Sequence, residues 1–178
     1  MNINELGFIR IGASAPKVKV ADCEYNVSEI KNVIEQAIQN EVQILCFPEL
    51  CITSYSCGDL FFQKELLDKA TYSLIELSEF VKQKKNIIVI VGLPYLIKNS
   101  LFNMAAVLSE EGIIGMIPKT YLANSNEFQE KRWFTPKSEL WENSIYIDEK
   151  YIPVSHGNMI FHTQYGNFGI EICEDLWV

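Results

Sequence analysis

Apolar residues recur along this chain with two different periods, and the switches between them divide it into strands and helices. Phe8, Ile9, Ile11 and Ala13 in FIRIGASAP come close to alternation and predict a strand ending at Pro16. In NVSEIKNVIEQAIQN, the residues Val27, Ile30, Val33, Ile34, Ala37 and Ile38 share one helical stripe. Asn26, with Glu29 three residues on, resembles a capping box and sets the expected helix start. VQILCF, which has β-branched members, reads as a strand followed at once by Pro48 and Glu49. A second helical pattern, carried by Leu74, Leu77, Phe80 and Val81, lies within residues 60–85 and leads into a strand over 86–94. AAVLS and GIIGMIP flank Glu110, Glu111 and Gly112 and predict a hairpin. Residues 124–150 are polar and dotted with aromatics, with EFQEKRWF as a candidate short helix. Two last strands are expected in NMIFHT and NFGIEIC, around Gln164, Tyr165 and Gly166.

Strands alternating with helices indicate an α/β fold, and the hairpins add antiparallel pairs, so mixed sheets are expected. No internal repeat or linker is visible, which fits one domain. At 178 residues the chain can form a full core. Its 48% hydrophobic and 21% charged residues exclude disordered and fibrous classes. A net charge of −8 argues against nucleic acid, which needs clustered Lys and Arg, and against an anionic membrane surface. A small molecule or a protein is the expected partner. No segment reaches the roughly 20 apolar residues of a membrane span. MNINELGFIRIG lacks the basic start and apolar stretch of a signal peptide, so a cytoplasmic location is expected. Cys23, Cys46, Cys51, Cys57 and Cys173 lack the paired spacing of a zinc site; no metal is expected, and free thiols are.

Three residues suited to acid, base or nucleophile chemistry share one kind of position, just after an apolar strand. Glu49 follows QILCFP, Lys119 follows GIIGMIP, and Cys173 follows NFGIEI. Ligands in open α/β sheets bind at strand ends. Alternation in NFGIEIC puts Phe168, Ile170 and Ile172 on one side, with Glu171 and Cys173 on the other. Glu171, Glu174 and Asp175 would raise the Cys173 pKa, because like charges resist a thiolate. A reactive Cys173 therefore needs a cation or a base, and Lys119 and Glu49 are the candidates. Each residue also has a plainer reading. Lys119 fits a solvated lysine, Glu49 a helix-initiating acid after Pro48, and Cys173 a small core residue. His156 and His162 are the only histidines, which leaves a Cys–His pair little to draw on. His162, alternating with Phe161, reads as an ordinary polar-face residue.

FPELCITSY, PKTYLANSNEFQEKRWF and GIEICEDLW, in that order and spacing, resemble the three signature blocks of the nitrilase (carbon-nitrogen hydrolase) superfamily. The likeness covers essentially the whole chain. CEDLW and EFQEKRWF draw it toward the N-terminal glutaminase domains of glutamine-dependent NAD synthetases. The resemblance implies a four-layer α-β-β-α sandwich, with Glu49 as general base, Lys119 as electrostatic stabiliser and Cys173 as nucleophile. It implies Glu127 as a second glutamate beside the lysine, Tyr55 as a wall of the glutamine pocket, and the Glu174 N–H as part of an oxyanion site. Ser54 stands where relatives carry glycine, and Ser125 where they often carry an aromatic. Residues 1–178 would then be the N-terminal part of a glutamine amidohydrolase domain, incomplete at its C-terminus. Such a domain needs no cofactor of its own. It would feed ammonia from glutamine to an ATP- and Mg2+-using synthetase domain beyond this chain, for amidation of deamido-NAD, in a homo-oligomer. A free-standing amidase for another small amide and an inactive fragment are the competing readings.

Overall fold

The computed structural model describes residues 6–155 and 159–178. The chain begins with two strand–helix–strand units: β1 (Ile11–Ala13), α1 (Cys23–Gln39), β2 (Ile44–Cys46), α2 (Lys64–Lys82) and β3 (Ile88–Ile97). β1, β2 and β3 pair in parallel, with Ile44 opposite both Ile11 and Ile88. β3 then pairs antiparallel with β4 (Ser100–Ser109), and β4 with β5 (Gly112–Pro118), completing a five-stranded sheet ordered β1-β2-β3-β4-β5. Two reversals return β5 to the direction of β2 and β3, so the C-terminal ends of β2 and β5 point the same way. This places Glu49 and Lys119 at one end of the sheet.

Both helices cover one sheet face. α1 buries Val27, Ile30, Ile34 and Ala37, and α2 buries Leu66, Ala70, Leu74, Leu77 and Val81. These side chains join Val89, Val91 and Leu93 of β3 in the main core. A fully buried leucine such as Leu74 contributes about 1.5–3 kcal/mol relative to exposure. The opposite face carries Ile44, Ile88, Ile90, Ala105, Val107 and Ile117. Phe161, Phe168, Ile170 and Ile172 pack onto it from β8 (Phe161–Thr163), β9 (Gly166–Phe168) and the residues that follow. β3 is thus buried on both sides, which explains its near-continuous apolar sequence. Helix layer, sheet and the start of a facing β layer are therefore in place. No helix among the described residues is long and apolar enough to cross a membrane.

The structure departs from the sequence pattern in four places. α1 starts at Cys23, capped by Asp22, whose carboxylate accepts the Tyr25 N–H at 3.1 Å. Asn26 lies buried inside the helix. Its Nδ2 donates to the carbonyls of Lys19 and Ile52, and its Oδ1 accepts the Lys19 N–H. An amide with three partners is better used joining two loops than capping at the surface. Residues 124–150 hold β6 (Ser144–Ile147), which pairs with β7 (Lys150–Pro153), and Val154 bridges to Met116 beside β5. EFQEKRWF forms only a 3-10 turn, Glu130–Arg132. Strand pairing in NFGIEIC stops at Phe168, yet the alternation persists as burial: Ile172 is buried while Glu171 and Cys173 are exposed. His156, and Asn158 at the start of NMIFHT, lie outside the described residues.

Candidate active site

Glu49 enters the site because the chain turns sharply after β2. The Cys51 N–H reaches the Pro48 carbonyl at 3.2 Å, and Leu50 adopts a left-handed φ of 53°. The turn lies directly on Gly92 of β3. An added Cβ there would sit 2.3 Å from the Leu50 nitrogen. The Ile52 N–H, donating to the Gly92 carbonyl at 3.1 Å, ties the turn to the strand.

Lys119 continues the β4–β5 ladder one step past β5, its N–H donating to the Asn103 carbonyl at 2.8 Å. Its side chain is fully buried. Nζ donates to Glu49 Oε1 at 2.6 Å and to Glu130 Oε1 at 2.8 Å. The second carboxylate beside the lysine is therefore Glu130 and not Glu127. Loop closure is the physical reason. The Glu130 N–H bonds the Ala123 carbonyl at 3.0 Å and Glu130 Oε2 accepts the Ala123 N–H at 3.1 Å, folding residues 123–130 back on themselves. Glu130 ends up buried, whereas Glu127 stays in the exposed part of the loop.

Tyr55 meets the same carboxylate, its hydroxyl donating to Glu130 Oε1 at 2.8 Å. Asp59 holds the two segments together, accepting from Arg132 Nε at 2.7 Å, Arg132 Nη2 at 2.8 Å and Trp133 Nε1 at 2.9 Å. The Arg132 and Trp133 hydrogen bonds keep the Asp59 carboxyl well below the usual carboxylate range. Ser54 adopts φ 75°, ψ 147°, a glycine-type conformation, so the turn before Tyr55 survives without glycine. Ser125 is exposed, and the aromatic neighbour of Tyr55 is Phe128, edge-on with ring centroids 6.2 Å apart.

Cys173 opens a 3-10 turn, Cys173–Leu176, with a left-handed φ of 51°. Such strain in a residue other than glycine needs support from its surroundings. Asp175 supplies it. One oxygen accepts the N–H groups of Thr120 (3.0 Å) and Tyr121 (2.7 Å), and the other accepts that of Ile172 (3.1 Å). A single carboxylate thereby joins the cysteine turn to the residues next to Lys119. Cys173 lines a cavity of about 100 Å³ together with Glu49, Gly92, Asn103, Cys46 and Ile172. Depressions of about 650 and 770 Å³ exist elsewhere, but neither is lined by Glu49, Lys119 or Cys173. Glu174 is half-buried beside the second of them. His162 is exposed near Asn167. Among the described residues no group of three or more His, Cys, Asp or Glu is placed to hold a metal ion.

Electrostatics divides the labour. Burial and the Glu49 carboxylate raise the Cys173 pKa; Lys119 and the Glu174 N–H oppose them without prevailing. The resting residue is a thiol. Burial works against the Lys119 ammonium, but hydrogen bonds to Glu130 and Glu49 outweigh it and hold the pKa above the ordinary lysine value. Burial, then Glu130, raise the Tyr55 pKa, so its hydroxyl remains a neutral donor. The site thus offers a protonated sulfur, a carboxylate able to take its proton, and a fixed cation.

Four contributors were not singled out in the sequence. Glu130 had a signal, being the other glutamate in EFQEKRWF. Asp175 appeared only as a charge near Cys173. Gly92 and Asn103 sit inside apolar strands and showed none. Asn103 is 1% exposed; its Nδ2 donates to Glu49 Oε1 at 2.5 Å, while its Oδ1 has no hydrogen-bond partner. Leaving a buried acceptor unpaired costs about 1–3 kcal/mol.

The carbon-nitrogen hydrolase family profile matches residues 10–178, and the chain belongs to that family. Its relatives include the human glutamine-dependent NAD(+) synthetase, 30% identical over 181 residues, covering 90% of this chain and 25% of the relative. The Mycobacterium tuberculosis (strain ATCC 25618 / H37Rv) enzyme of that name is 26% identical over 97% of this chain and 25% of its own. The chain spans about a quarter of the length of these relatives. The crystal structure of a glutamine-dependent NAD(+) synthetase from Cytophaga hutchinsonii superposes with a TM-score of 0.85 at 33% identity, covering 94% of this chain and 28% of that one. An amidase from Nesterenkonia sp. shares the fold at 18% identity, with a TM-score of 0.69 over 94% of this chain and 56% of its own.

Proposed function

We propose that this chain is the glutaminase part of a glutamine-dependent NAD synthetase, releasing ammonia from glutamine through a thioester on Cys173. The observation that carries the reading is the buried Lys119 ammonium held between Glu49 and Glu130, beside a cavity that Glu49 shares with Cys173. The 30–33% identities to NAD synthetases favour glutamine over another small amide.

Glu49 takes the Cys173 thiol proton as sulfur attacks the side-chain amide carbon of glutamine. The carbonyl oxygen becomes negative, and Lys119 and the Glu174 N–H stabilise it. Losing one such donor typically costs about 2.7–4 kcal/mol. The C–N bond breaks, the proton on Glu49 leaves with ammonia, and a γ-glutamyl thioester remains. Water, deprotonated by Glu49, releases glutamate and restores the thiol. Glu130 and Tyr55 hold Lys119 in place, and Tyr55 and Phe128 form one wall for the substrate. In this reading residues 1–178 are the N-terminal part of the amidohydrolase domain. ATP and Mg2+ serve a synthetase domain that consumes the ammonia, and no step on this chain passes through them. The unpaired cysteines suit a reducing cytoplasm.

Mass spectrometry of the full-length protein quenched during turnover of glutamine tests the assignment. A γ-glutamyl adduct is expected on the peptide bearing Cys173; an adduct on another cysteine overturns it. Glu49→Gln should slow acylation by about 10²–10⁴-fold, the usual contribution of a general base.

A further inference from the structure

We propose that Asn103 is a positioning residue for this reaction: it pins Oε1 of Glu49 and so reserves Oε2 to take the Cys173 proton. The inference rests on the reading of Glu49 as the general base.

Oε1 accepts two hydrogen bonds, from Asn103 Nδ2 at 2.5 Å and Lys119 Nζ at 2.6 Å. No hydrogen bond reaches Oε2 among the described residues, and Glu49 lines the cavity that Cys173 also lines. The carboxylate is therefore asymmetric, one oxygen restrained and the other available. Lys119 divides its ammonium between Glu49 and Glu130, whereas the Asn103 Nδ2 is directed at Glu49 Oε1. Asn103 is a short planar amide on a central strand. Its main-chain carbonyl also accepts the Lys119 N–H at 2.8 Å, so one residue registers both the base and the cation.

The orientation of the amide follows from its partner. A carboxylate only accepts hydrogen bonds, so the nitrogen must face Glu49. That leaves Oδ1 buried without a partner. A residue present for packing alone would not carry such a defect, since buried polar groups are almost always paired. The contact with Glu49 accounts for its presence. The charged and titratable groups around the Glu49 carboxylate are Lys119, Glu130, Tyr55 and Cys173, with Cys46 and Glu171 lining the same cavity. Asn103, bonded directly to the carboxylate, orients the base without adding charge.

The test uses the full-length protein with glutamine as substrate, comparing N103L and N103A with wild type and with E49Q. Thermal melting selects the variants that fold, and N103S, which keeps a short donor, is read alongside them. In folded N103L or N103A, kcat/KM should fall by about 10–100-fold, as expected for a misplaced catalytic group. The loss should fall on kcat, with KM for glutamine little changed, because a misplaced base slows a step that follows binding. N103S should lie between these and wild type. A fall carried by KM at unchanged kcat assigns Asn103 a structural role only and overturns the inference. Wild-type kcat/KM in N103L and N103A does so as well, while E49Q remains inactive. Wild-type acylation by E49Q is a different result: it removes the base assignment itself.

Discussion

Gly92→Ala tests whether Glu49 is placed by the close passage of its turn over β3. Gly92 lacks a positive φ, so space and not backbone freedom is the constraint. The added Cβ would meet the Leu50 nitrogen at 2.3 Å, the Glu49 carbonyl carbon at 2.9 Å and the Glu49 Cα at 3.0 Å. Ordinary contact begins near 3.4 Å, so the backbone at Leu50 must retreat by about 1 Å. All three obstructing atoms are backbone, and no rotamer change relieves them. Overpacking of this kind costs about 1–3 kcal/mol. The retreat also carries Glu49 away from Asn103 and Lys119, stretching bonds that now measure 2.5 and 2.6 Å. A misplacement of about 1 Å costs on the order of 10²-fold in rate. Folded G92A should therefore lose about 100-fold in kcat/KM for glutamine, followed by coupled detection of ammonia. Its melting temperature should drop by about 2–4 °C per kcal/mol. A folded G92A with wild-type kcat/KM would refute the reasoning.

Three further outcomes follow from the site. Glu130→Ala removes a partner of the buried lysine and should destabilise by about 3–5 kcal/mol in urea titration, whereas Glu127→Ala stays within about 0.5 kcal/mol; the reverse ranking would return the lysine's partner to Glu127. Alkylation of Cys173 by iodoacetamide should rise with pH to a midpoint above the ordinary thiol value, because burial and Glu49 make the proton harder to remove; a midpoint below that value contradicts a resting thiol. Ser54→Gly relieves about 1–3 kcal/mol of backbone strain against about 0.5–1 kcal/mol of added chain entropy, so Tm should rise by a few degrees; a fall would show that the Ser54 side chain outweighs the strain.

How much could be read in advance depended on whether a residue's role was local. Helices and core strands were legible because their stripes are long, as in Val27, Ile30, Ile34 and Ala37 of α1. Glu49 and Lys119 stood out because each interrupts an apolar run at a strand end. The inward–outward alternation around Cys173 was legible too, even though that stretch pairs with no strand. Start signals were less reliable: Asn26 looked like a cap, but its amide makes two hydrogen bonds to Lys19 and one to Ile52, 26 residues on, while Asp22 does the capping. Which of Glu127 and Glu130 reaches Lys119 depends on the loop closing on Ala123, which spacing alone does not encode. β6 and β7 are four residues each, too short for a period to stand out in sequence, although β6 does alternate exposed and buried. Gly92 and Asn103 act through neighbours 42 and 54 residues distant in sequence, at Leu50 and Glu49, and a single strand pattern carries no trace of such neighbours.

The two-sided burial of β3 has a consequence for how this protein tolerates change. Val89, Val91 and Leu93 join the core under the helices, Ile88 and Ile90 pack toward the opposite layer, and Ile90 and Gly92 line the cavity that Glu49 and Cys173 share. Substitutions at Val89 or Leu93 alter fold strength, and those at Ile90 or Gly92 alter the shape of that cavity. A slip of one position exchanges the two faces, setting a branched side chain where the glutamate turn must pass. The strand's phase is thus read twice, once by the scaffold and once by the catalyst.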